Sequence, residues 1–126
     1  KVKRYFIRYI DTFIGIMWHK DDGTYDVQLV KPQMLHTPRR KRSFMTDEEV
    51  RYWLSERATE RANPDFVPRC LRFGVNPNDA EARMKLALAT YGLNVRDYIW
   101  FSENEDDTFK DIDPARAEYL EVTYGI

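Results

Sequence analysis

The sequence predicts an α+β domain in which a three-stranded antiparallel meander packs against three to four short helices. Three observations carry this. An opening stretch rich in β-branched and aromatic residues is interrupted by an Asp-Gly turn. A capping box starts the first helical pattern, and Asn-Pro or Asp-Pro pairs mark the starts of three later ones. At 126 residues the chain has the length of one domain, and its 43% apolar and 33% charged residues describe a globular core with a solvated surface. Eighteen aromatics (three Trp, eight Tyr, seven Phe) argue against disorder.

The elements follow in order. Residues 2–10, VKRYFIRYI, read as a strand. FIGIMWH at 13–19 reads as a second, with Phe13, Gly15, Met17 and His19 on one face and Ile14, Ile16 and Trp18 on the other. Lys20 to Thr24 form a hairpin turn, and 25–30, YDVQLV, form the third strand by alternation. The β-rich part thus spans 1–30 and a basic connector spans 31–45. A helical part occupies 46–92, and an aromatic extended segment with a C-terminal turn or helix fills 93–126.

Within the helical part, Thr46 and Glu49 make the capping box of a helix over 47–60, whose stripe is Val50, Trp53, Leu54 and Ala58. Asn63-Pro64 opens a helix over 64–73 with Phe66, Val67, Cys70 and Leu71 inward and Gly74 as its stop. Asn76-Pro77 opens a third helix, ending at Tyr91 and burying Ala80, Met84, Ala87, Leu88 and Tyr91, with Gly92-Leu93 as a left-handed cap and an apolar contact. Residues 98–101 are extended, 103–107 form an acidic loop, and Asp113-Pro114 starts a last short helix carrying Ala117, Tyr119 and Leu120.

The single cysteine, Cys70, rules out an intrachain disulfide and sits on an apolar stripe as a small hydrophobe. No apolar run approaches the about 20 residues of a membrane span, and the first residues lack the basic-then-apolar pattern of a secretory signal. A cytoplasmic protein without a membrane partner is the expectation. Lys1 is not an initiator methionine, so a segment of something longer fits as well. The charge is polarised: residues 1–63 hold 13 Lys/Arg against 9 Asp/Glu (+4), and residues 64–126 hold 7 against 12 (−5). Such polarity suits a charged partner or a second copy of the chain.

Catalytic patterns are missing from the sequence. His19 and His36 have no local nucleophile or carboxylate arrangement, one Cys and two His cannot build a zinc cage, and the 103–107 loop lacks the spacing of a calcium loop. No phosphate-binding glycine loop is present. The reading is therefore non-enzymatic, with no catalytic residue, metal or cofactor assigned. Arg39, Arg40, Lys41 and Arg42 form the sharpest local feature, a run able to contact phosphates or an acidic partner. Against nucleic acid stand the pI near 6.2 and the lack of any nucleic-acid module signature.

The stretch from Tyr91 to Trp100, YGLNVRDYIW, followed by FKDID at Phe109–Asp113, resembles the N-terminal, non-kinase region of HipA-like bacterial kinase proteins. There the pattern runs Y-G-L-S-L-S-D-x-Y-W, then W-x-D-V/I-N. The family's Arg-x-Ile-Pro-x-x-Arg segment is not reproduced around Arg57 to Phe66, and the kinase residues are not in this chain. The resemblance implies a toxin–antitoxin or phage-defence setting and a protein partner such as a co-encoded kinase or toxin. It singles out Trp53, Arg57, Tyr98 and Trp100 as the partner-facing region, although by their size and spacing Trp53, Tyr91 and Trp100 read rather as core aromatics.

Three functions are thus expected in order. The first is a non-catalytic protein-binding regulatory module. The second is a nucleic-acid-associated factor using Arg39 to Arg42. The third is a small enzyme assembled from scattered groups such as His36, Glu49 and Arg57.

Overall fold

Alternating apolar residues, turn glycines and one bulge build an antiparallel sheet that positions everything else. The computed structural model describes residues 1–35, 42–94 and 96–112. Its strands are β1 (Lys3–Tyr9), β2 (Thr12–His19), β3 (Tyr25–Leu29), β4 (Phe44–Met45) and β5 (Ile99–Ser102). Their order in the sheet is β4-β3-β2-β1-β5, and every neighbouring pair is antiparallel. The predicted meander is its centre. The connector and the aromatic segment add the two edge strands, and a 3-10 turn (Pro32–Leu35) follows β3.

Helices α1 (Asp47–Glu56), α2 (Phe66–Arg72) and α3 (Ala82–Ala89) lie in sequence between β4 and β5. The main core lies between one face of the sheet and α1, with Ile7, Met17, Tyr25, Val27, Val50, Leu54 and Phe101 among its members. A second cluster joins α2 to α3 through Phe66, Cys70, Val75, Ala82 and Leu86. The other sheet face is covered near β5, where Trp100 packs with Leu93, Ile112 and Phe109. Among the described residues no helix is long and apolar enough to cross a membrane.

Four sequence expectations change. A register shift between Ile7 and Arg8 leaves Ile14 as an extra residue of β2, so it joins Met17 in the core instead of sharing the Ile16 and Trp18 face. The Asn-Pro pairs start turns, not helices. Asn63 Oδ1 accepts the Asp65 amide at 2.9 Å and Asn76 Oδ1 the Asn78 amide at 3.0 Å, so each helix begins a few residues later. That delay rotates the stripes. Val67 and Leu71 are exposed, Leu71 by 66%, while Arg69 turns inward beside Phe66 and Cys70. Ala80 falls outside α3 and is exposed; the helix buries Ala82, Met84, Leu86 and Ala87, and Tyr91 emerges at the surface. The first helix stops at Glu56, short of residue 60. The predicted helix after Asp113-Pro114 lies outside the described residues.

The end of α3 explains the Tyr91-Gly92 pair. Both residues adopt positive φ (57° and 64°), and the Gly92 amide reaches back to the Ala87 carbonyl at 2.8 Å. A side chain on Gly92 would overlap the Phe101 ring. The reversal leaves the Tyr91 carbonyl to accept the Phe101 amide at 3.0 Å, which occupies part of the outer edge of β5.

Candidate functional site

α1 is anchored at both ends before it presents anything. At its start the Thr46 hydroxyl accepts the Glu49 amide at 3.3 Å, and the Glu49 carboxylate accepts the Thr46 amide at 3.1 Å. These bonds to Thr46 hold the Glu49 carboxyl below its ordinary value, aided by Arg42. Asp47 accepts the Tyr25 amide at 2.7 Å, pinning the first turn to β3.

At its end, Arg57 closes the helix and turns inward with only 6% of its side chain exposed. Its Nε donates to the Gly92 carbonyl at 2.6 Å, its two terminal nitrogens to the Asp97 carboxylate at 3.1 and 2.8 Å, and one of them also to the Ile99 carbonyl at 2.9 Å. The guanidinium lies 5.4 Å from the Trp53 ring centroid, and Trp53 in turn packs on Phe101. A planar fork facing a carboxylate is the geometry arginine suits best. One residue therefore joins α1, the α3 reversal and β5.

Two open grooves flank Trp53, the residue that stacks on this anchor. The first, of about 500 Å³, is lined by Tyr9, Leu35, Trp53, Arg57, Asp97 and Tyr98, with Glu56, Asn94 and Arg96 at its margin. The second, of about 550 Å³, runs along α1 over Leu35, Met45, Tyr52 and Trp53, edged by Glu48, Glu49 and Glu56. Half-buried Trp53 borders both.

Of the four residues singled out in the sequence, Trp53, Arg57 and Tyr98 line the first groove together. Trp100 does not. It is fully buried on the opposite sheet face, and its indole N–H donates to the Ile10 carbonyl at 2.6 Å. It supports the Tyr98 segment from beneath and cannot itself meet a partner. That bond, with the Ile10 amide donating to the Tyr98 carbonyl at 3.1 Å, holds Ile10 at a φ of 54°, a region β-branched residues rarely adopt.

Of the basic run, Arg39, Arg40 and Lys41 lie outside the described residues, as does His36. Arg42 donates to Glu49 at 2.6 Å and stacks over Phe44. Of the scattered groups in the enzymatic reading, Glu49 and Arg57 border different grooves, and His36 lies outside the described residues. Cys70 is buried, and burial pushes its thiol up. The acidic 103–107 loop has a structural neighbour in Arg8, buried among the Phe6 and Trp100 rings, which donates to the Glu105 carbonyl at 2.6 Å. Burial draws the Arg8 guanidinium down from its ordinary value, and Asp107, Asp11, Glu105 and Asp106 counter this. Among the described residues no cluster of three or more His, Cys, Asp or Glu could hold a metal ion.

Sequence reading missed the second groove. Its one available signal is Glu48-Tyr52-Glu56, a helix-spaced line of exposed residues on the face opposite the stripe. Leu35 and Met45 carry no such signal, because both sit in the connector. No family model, curated protein or solved structure matches this chain.

Proposed function

We propose that the chain is a non-catalytic protein-binding module that seats a partner segment against the two grooves flanking Trp53. The observation that carries this reading is Trp53 itself, partly exposed between grooves whose linings include Leu35, Met45, Tyr9 and Tyr98. Aromatic and arginine anchors in preformed hollows are what binding hot spots are made of. The rigid mounting of Trp53 between Arg57 and Phe101 keeps ordering costs low on association. The resemblance of the Tyr91–Trp100 stretch to HipA-like proteins supports a co-encoded toxin or kinase as the partner. The nucleic-acid reading has less support, since Arg42 of the basic run is already engaged by Glu49.

Co-expression with the products of neighbouring genes tests this. One of them should co-purify, and Tyr98→Ala with Tyr52→Ala should weaken retention about tenfold, roughly 1.4 kcal/mol. Both side chains are exposed, at 46% and 63%, so the variants should fold. Monomer alone from every pairing, or retention unchanged in the double variant, counts against the reading.

A further inference from the structure

We infer that the partner segment seated in the groove along α1 is a cationic, amphipathic peptide, an inference that rests on the protein-binding reading above. Among the described residues, the groove's floor is apolar and its charged lining groups are all carboxylates: Glu48, Glu49 and Glu56. Three acids around an apolar trough repel an acidic occupant and leave a neutral one facing unmatched charge.

These carboxylates differ in how far they are already used. Glu49 is spent in the capping box and on Arg42, and that ion pair shows the rim accepting a guanidinium at 2.6 Å. Glu56 has only a long 3.9 Å contact to Arg83. Glu48 is exposed and has no cationic partner among the described residues. Among the described residues, the least engaged acceptors are therefore Glu48 and Glu56, two helical turns apart on one face with Tyr52 between them.

That spacing sets the pattern of the occupant. Two turns correspond to roughly 12 Å along the helix. An extended peptide covers this distance in about three to four residues, and a helical one in about two turns. The fitting segment thus carries two Lys or Arg at one of those spacings, with an apolar side chain between them for the trough. Arginine is favoured where it can stack on the exposed Tyr52 ring.

A displayed library of random linear peptides, selected on the immobilised protein and counter-selected on Glu48→Lys/Glu56→Lys, tests this. The recovered peptides should carry paired Lys or Arg around an apolar residue, lose about tenfold in affinity on the double variant, and weaken as salt rises. Neutral or acidic peptides whose binding is abolished by Tyr52→Ala would overturn the inference while leaving the protein-binding reading standing. Failure to recover any peptide sensitive to Tyr52→Ala or to the charge reversal would overturn both. A concentration-dependent dimer in light scattering that dissolves in the double variant would assign the groove to a second copy and overturn the inference. Circular dichroism of each variant confirms that the fold is retained.

Discussion

The two faces of α1 are built from adjacent residues and behave as two different materials. Inward, Val50 and Leu54 are fully buried and Arg57 is locked by four hydrogen bonds to Gly92, Asp97 and Ile99. Outward, Glu48, Tyr52 and Glu56 are exposed over a groove. Trp53 sits at the boundary, one flank on Phe101 and the other open. One side of the helix thus holds the fold together and the proposed binding role falls to the other, so substitutions should separate stability from association.

The largest break comes at Arg57. Arg57→Ala leaves the Asp97 carboxylate half-buried without its counter-ion and strands the Gly92 and Ile99 carbonyls. Removing one partner of such a pair costs about 3–5 kcal/mol. Urea denaturation should show that loss, and Arg57→Lys should recover only part of it because an ammonium cannot reproduce the fork. Next is Leu54→Ala, a truncation in the main core expected to cost about 2–5 kcal/mol depending on how far the sheet and helix close the space. Neither variant removes a carboxylate of the groove along α1.

A smaller effect tests how the helix is started. Thr46→Ala removes the capping hydroxyl and should cost about 1 kcal/mol. The cost should also depend on pH. Glu49 titrates below its ordinary value in the folded protein, chiefly through the Thr46 amide. Its contribution is therefore complete above the carboxylate range of the unfolded chain and is lost as pH falls through the lower folded value. The stability difference between wild type and Glu49→Gln, which removes the titrating carboxylate but keeps Thr46, should accordingly be largest near neutrality and shrink on acidification.

How much of this could be read beforehand divides along the same line. The meander, the capping box and the Val50-Leu54 stripe are local patterns whose period matches the structure they form, so they were legible. Ile14 was misplaced because a bulge breaks alternation without a sequence mark. Val67, Leu71 and Ala80 were misplaced because Asn-Pro serves a side-chain-closed turn as readily as a helix start. The site was half visible. Trp53, Arg57 and Tyr98 line one groove, but the Arg57–Asp97 pair behind it joins residues 40 apart. Leu35 and Met45 reach the groove only through the way the connector returns to the sheet as β4.

The smallest stability effect belongs to the outward face, and it is the one that separates the two roles. Glu48→Lys reverses a favourable charge in the first turn of α1, where acids suit the helix dipole, at about 0.3–1 kcal/mol. Glu56→Lys reverses an unfavourable acid at the last residue of the same helix and returns a similar amount, less a weak contact with Arg83. The double variant should therefore unfold within about 0.5 kcal/mol of wild type, while each single variant shifts in opposite directions. A thermal melt of all three, with partner binding measured on the same samples, checks both halves. Near-equal melting of the double variant with lost binding places the specificity on the charged face. A double variant that melts as poorly as Leu54→Ala would mean the two faces are not independent, since surface charges on a solvated helix have no core to disrupt.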